Sequence, residues 1–234
     1  MCGSLLSVHG HCTVRSGPRE HGVFSYLLCF LQTSSGMSLP PCLEAVGWLQ
    51  ELPKPLTKVV LSEAGILVGP YVVVRPHEWE DDRQGCLDRI GELTMPVFVK
   101  PARGGSSIGV SKVSDWADFP EAIRIALEDD DKILVEPEIV GREVEVGVLQ
   151  YPDGELIASV PALLKGIDDS DEGFYGFETK YLDNVVTAQI PAPFPEELTA
   201  QLRDMAIRAF KALNCTGLSR VDFFVTEEGL YINE

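Results

Sequence analysis

At 234 residues the chain is long enough for one large domain or two small ones, each with its own apolar core. With 45% hydrophobic and 24% charged residues it is neither disordered nor collagen-like, and a net charge of −17 makes nucleic acid an unfavourable partner, since no basic and aromatic cluster overrides it. Six cysteines at 2, 12, 29, 42, 86 and 215 contain no C-x-x-C pair, which excludes a zinc ribbon or a disulfide framework.

Residues 1–53 mix Ser, Gly, His and Cys without a sustained period of 2 or 3.6, and their structure stays unassigned. Cys2, His9, His11 and Cys12 match no finger spacing, so scattered reduced thiols of a cytosolic protein are the preferred reading. The apolar run 23–31 falls far short of the roughly 20 residues that span a bilayer, and no membrane segment is expected.

From residue 54 onward helical and strand patterns alternate. Residues 56–64 predict a short helix stopped by Gly65, and 71–74 a β-branched strand ended by Pro76. Residues 97–100 and 108–113 read as two strands of a hairpin with a glycine-rich tip between them. Trp116, Phe119, Ile123, Ala126 and Leu127 lie at helical spacing, with Asp118 ahead of Pro120 as the start signal. Strands follow at 133–136, 144–150 and 156–160, the last after the Pro152-Asp153-Gly154 turn. Residues 163–184 are polar and aperiodic, the signature of an active-site loop. A helix at 196–213 carries one apolar stripe from Leu198 to Leu213, and strands at 219–225 and 230–232 close the chain as a hairpin.

Three constellations carry chemistry. Lys100 to Gly109 places a lysine at a strand end before a glycine-rich tip and two serines, a composition that suits phosphates, although it is not the P-loop pattern and a surface turn also explains it. Asp222 and Glu234 sit on neighbouring strands, where opposed carboxylates make a hard oxygen site for magnesium; solvated strand-end acids are the competing reading. Glu136 and Glu143 flank a connecting segment that could cradle a base and a ribose, with a surface turn equally open.

Taken in order, VFVKPARGGSSIGVSKV, ILVEPEIVGREVEVGVL, FETKYLD and GLSRVDFFV followed by GLYINE resemble consecutive motifs of the D-alanine–D-alanine ligases. The resemblance spans about residues 54–234 and implies an α+β, ATP-grasp fold: two α/β lobes with substantially antiparallel sheets enclosing the nucleotide. It implies that Lys54 and Lys100 hold phosphates, that Glu136 and the backbone around Ile139 take adenine, and that Glu143 takes the ribose. Ser106 and Ser107 would lie where the family's loop folds over the γ-phosphate and orients the first D-alanine. Lys180 and Tyr181 would belong to the mobile loop, Arg220 would steady the acyl phosphate, and Asp222 with Glu234 would bind Mg2+ or Mn2+. ATP and D-alanine are the implied substrates, peptidoglycan synthesis in the bacterial cytoplasm the implied setting, and a homodimer is compatible with it.

The chain also departs from the family. Pro53 stands before Lys54 where an aspartate is usual, and Tyr175-Gly176-Phe177 replaces tyrosine-aspartate-tyrosine. Residues 1–53 do not resemble the family's N-terminal domain, and the ATP-grasp domain is expected to be incomplete after Glu234. Rivals are a D-alanine–D-lactate or other carboxylate–amine ligase, and a catalytically silent nucleotide-binding fragment. Tyr181 argues against the D-lactate type, which tends to carry histidine in that loop.

Overall fold

The computed structural model describes residues 53–104, 107–166 and 186–234, which build two lobes, each an antiparallel sheet covered by helices. Helix α1 (Lys54–Glu63) opens the described chain, with proline in its first turn, where a missing N–H costs nothing. The first sheet contains β1 (Val72–Val74), β2 (Val97–Pro101), β3 (Ser111–Val113) and β4 (Ile133–Pro137) in the order β1-β4-β2-β3. Helices α2 (Pro76–Asp81), α3 (Arg83–Ile90) and α4 (Phe119–Asp129) belong to the same lobe. Trp79, Cys86, Ile90, Phe119 and Ile123 pack against the valines of that sheet as one apolar cluster.

The second sheet runs β10-β9-β5-β7-β8, with β6 paired to β5. Its strands are β5 (Arg142–Gln150), β6 (Leu156–Ala158), β7 (Ala162–Lys165), β8 (Thr187–Gln189), β9 (Leu218–Val225) and β10 (Leu230–Ile232). Helix α5 (Glu196–Ala212) lays Leu202, Ala206, Ala209 and Phe210 onto Val144, Val146, Val221 and Phe223. Its acidic first turn and Lys211 in the last turn complement the helix dipole. Leu61 of α1 belongs to this second core, although the Lys54 N–H donates to the Ala102 carbonyl of the first lobe at 2.7 Å. Helix α1 therefore touches both lobes.

The α+β class and the antiparallel sheets agree with the sequence reading, and several details change. Residues 75–96 hold two short helices that the sequence reading passed over; Asp82 starts the second by accepting from the Gly85 N–H at 3.0 Å. Asp118 makes no side-chain cap; Asp115 does, accepting from the Ala117 N–H at 2.9 Å to open a 3-10 turn ahead of α4. The strand expected at 108–113 begins only at Ser111, because Ser107 and Gly109 take positive φ angles of 58° and 71°. Residues 163–165, expected as loop, belong to β7, paired with β5 and β8. Among the described residues no helix is long and apolar enough to cross a membrane.

Candidate active site

Strand alternation decides which side chains of the first sheet leave its apolar core. Val97, Val99 and Pro101 of β2 are buried, so Phe98 and Lys100 face the other way, and the register sets Phe98 beside both Glu136 and Lys112. Helix α1 approaches this face and presents Lys54 and Lys58, one turn apart. Glu136 then becomes the hub of a buried cluster: its Oε1 lies 2.5 Å from Lys58 Nζ, and its Oε2 contacts Lys100 Nζ. Burial pushes the Glu136 carboxyl up, but Lys100 and Lys58 together outweigh that and hold it below the ordinary carboxylate range. Burial also lowers Lys58 below the usual lysine value; Glu136 opposes that shift and Lys100 adds to it. Two ammonium groups against one carboxylate leave one positive charge in excess in a largely dry place.

The second sheet builds the opposite imbalance. In β9, Val221, Phe223 and Val225 point into the core, so Arg220 and Asp222 emerge on the other face. The register sets Asp222 opposite Glu145 and Arg220 opposite Gly147 of β5, which offers no competing side chain. Arg220 donates to both Asp222 oxygens, at 2.6 and 2.7 Å, and lies 3.5 Å from Glu145. Asp222 above all keeps the Arg220 guanidinium protonated, against the effect of burial. Backbone bonds fix Glu234 beside this cluster: the Asp222 N–H donates to the Glu234 carbonyl and the Asn233 N–H to the Asp222 carbonyl, both at 2.8 Å.

Lys54 joins the two halves. Its Nζ donates to the Gly104 carbonyl in the glycine-rich turn at 2.7 Å and lies 3.4 Å from Glu234. The base of that turn is held by Asp130, which accepts from the Arg103 N–H at 2.7 Å. The connector between β4 and β5 is anchored by the Glu138 N–H on the Pro96 carbonyl and by a 2.6 Å contact from Lys112 to the Glu138 carboxylate. Ile139 packs so tightly over Gly69 that a Cβ there would sit 2.7 Å from its Cδ1, while Val140 is 84% exposed.

Of the sequence-predicted residues, Lys54, Lys100, Glu136, Ile139, Arg220, Asp222 and Glu234 are placed around these two clusters and their connector. The Glu136 carboxylate is committed to two lysines. Glu143 lies on β5 opposite Phe224, two residues from Glu145 along the same strand face, and Ser107 sits in the glycine-rich turn. Ser106, Lys180 and Tyr181 fall outside the described residues. Lys58 and Glu145 were missed. The i, i+4 spacing from Lys54 was the signal for the first, and the alternation of Glu143, Glu145 and Gly147 for the second.

The carboxylates of Asp222 and Glu234 suit a hard divalent cation. They are oxygen donors on neighbouring backbone segments joined by hydrogen bonds, balanced here by Arg220 and Lys54, and magnesium takes one or two carboxylates plus phosphates.

The sequence profile of the "D-ala D-ala ligase C-terminus" family matches residues 60–234. The chain is 53% identical over 181 residues to a D-alanine–D-alanine ligase of Corynebacterium efficiens, covering 77% of this chain and 49% of the relative. It is 57% identical, over the same shares, to that of Corynebacterium aurimucosum. It spans about half the length of the curated relatives it matches. Among solved structures it is similar to the VanG D-Ala:D-Ser ligase of Enterococcus faecalis, with a TM-score of 0.66 and 32% identity over 78% of this chain and 51% of that one. It is also similar to the D-alanine–D-alanine ligase of Coxiella burnetii, with a TM-score of 0.63 and 32% identity over 78% and 46%.

Proposed function

The chain belongs to the D-alanine–D-alanine ligase family, and from that premise we propose that it forms the ATP-binding half of an enzyme that joins two D-alanines through a D-alanyl phosphate. One D-alanine carboxylate oxygen attacks the γ-phosphorus of ATP, and the bond to ADP breaks with its electron pair leaving on ADP. The amine of the second D-alanine then attacks the acyl carbon, phosphate departs, and the amine loses a proton. Protein groups contribute position and charge to such a transfer rather than covalent chemistry.

Lys100 and Lys54 hold phosphates in this reading, and Gly104, whose carbonyl accepts from Lys54, borders them. Glu136 acts by orienting lysines, and the purine edge falls to the backbone at 139–141, where a base would cover Val140. Glu143 serves the ribose. Arg220 draws charge from the acyl phosphate as it forms. Asp222 and Glu234 hold magnesium, which when bound screens the phosphate oxygens. Ser106, Lys180 and Tyr181 keep their proposed places at the γ-phosphate and in the loop. The setting is bacterial cytoplasm, upstream of peptidoglycan.

The observation that carries this reading is the pairing of a cationic cluster at Lys58, Glu136 and Lys100 with an anionic one at Asp222 and Glu234, bridged by Lys54. An anionic nucleotide with a divalent cation completes both. Calorimetry of the 234-residue chain should show nucleotide binding that requires magnesium. A folded chain that takes up no nucleotide would overturn it. Similarity to a D-Ala:D-Ser ligase favours one second reading, a different acceptor amine; phosphate release with D-serine outpacing that with D-alanine would select it.

A further inference from the structure

We infer that Lys58 is a positioning residue for the nucleotide site: by occupying one oxygen of Glu136 it keeps the charge of Lys100 available to an anionic ligand. The inference rests on the reading of Lys100 as a phosphate-binding group. Its basis is the placement and charge count of three side chains.

Lys58 is only 3% exposed and reaches no anion in solvent. Its ammonium lies 2.5 Å from Glu136 Oε1 and 5.8 Å from the Tyr71 ring centroid, and the Tyr71 hydroxyl donates to the Pro55 carbonyl of α1 at 3.5 Å. Leu61, one turn further along α1, is rooted in the core of the second lobe. The lysine is thus held by its helix from behind and by the carboxylate in front. Lys100 meets the other carboxylate oxygen from β2.

A buried ion pair kept only for stability is balanced, because an unpaired charge in a dry place is costly. Counted over the groups in direct contact, this cluster is not balanced and its surplus is positive; Glu234, which also acts on Lys58, is itself paired with Lys54. With Lys58 absent, both oxygens of Glu136 would turn to Lys100, and the cluster would be neutral. A neutral pair attracts phosphate far less than a surplus ammonium does. Lys58 therefore never needs to touch the ligand. It acts by preventing Glu136 from cancelling Lys100.

Affinity for magnesium-ADP, measured by calorimetry on the full chain, tests this. Lys58→Met preserves the apolar stem and removes the charge; it should weaken binding about tenfold, the scale of one charge-assisted contact. Adding Lys58→Met to Lys100→Ala should then cost little more, because the two act through one charge. A structural role would not move the third reading: Lys58→Met with Glu136→Gln restores the surplus charge and should recover affinity to within about threefold. Should Lys58→Met fail to fold, Lys58→Gln makes the same charge change and decides. Unchanged affinity in a folded Lys58 variant, additive losses with Lys100→Ala, or no recovery in the charge-restored pair would each overturn the inference. If Lys100→Ala itself binds normally, the site reading falls and takes this inference with it.

Discussion

In the first lobe two ammonium groups share one buried carboxylate; in the second, the carboxylates of Glu145, Asp222 and Glu234 gather around one guanidinium. Both clusters arise from period-two strands whose other face is apolar core, so the sheets supply the same geometry with opposite sign. The choice of cation differs as well. Arg220 grips Asp222 through two parallel bonds from a planar fork, which fixes direction. Lysine is a compact charge on a flexible stem, so Lys58 and Lys100 must be fixed by what they meet, and Glu136 is that partner. One lobe carries its order in a cation, the other in an anion.

The largest test of this contrast removes the two hubs. Glu136→Ala strands two buried ammonium groups and should cost about 3 to 5 kcal/mol of stability, whereas Asp222→Ala, at a half-exposed pair, should cost about 1 kcal/mol or less. Urea unfolding of both variants gives the comparison, and equal losses would erase it. Next in size is Lys100→Ala, expected to weaken magnesium-ATP binding by about 1.5 to 3 kcal/mol, or roughly 10- to 150-fold. Calorimetry of that variant separates a phosphate ligand from a purely structural lysine. Asp222→Asn should act on the metal side, raising the magnesium concentration needed for nucleotide binding about tenfold while leaving the fold intact. A magnesium titration that overlays the parent would remove Asp222 from the metal site.

The smallest effect is confined to acid. The Glu136 carboxyl is depressed below its ordinary value of 4.5, so its contribution is complete above that pH and is lost as pH falls through the depressed value. Glu136→Gln should flatten that acid limb, by no more than the single-proton slope of about 1.4 kcal/mol per pH unit. Lys58 has the same sign in a more alkaline window. Its lowered value means that stability rises as pH climbs from there toward 10.5. A parent and Glu136→Gln variant with identical acid limbs would show that the carboxylate is not held in its charged form.

What the sequence disclosed follows the range of the forces involved. Valine-rich strands and the stripe of α5 are local signals, and β2, β4, β5, β9 and α5 were legible from them. Helices α2 and α3 were not, since Pro76 read only as the end of a strand, while their packing is supplied by Trp79, Cys86 and Ile90 against a distant sheet. Lys100, Asp222 and Glu234 were singled out by a strand end before a glycine-rich tip and by opposed strand-end acids, features that a surface turn or solvated carboxylates explain as well until the family resemblance is added. Lys58 escaped because its one local signal, the i, i+4 spacing from Lys54, is shared by solvated helix lysines. Its partner Glu136 is far along the chain and becomes visible only when α1 is laid across β4.

Helix α1 acts mechanically as a bar fastened at one end and working at the other. Leu61 anchors it in the second lobe, Lys58 reaches Glu136 of the first, and Lys54, about 6 Å of helical rise away, meets Gly104 of the first lobe and Glu234 of the second. A small tilt of one lobe against the other is therefore transmitted along a stiff rod to two charges at once. Softening the bar by glycine in mid-helix would loosen that linkage without altering any ligand contact.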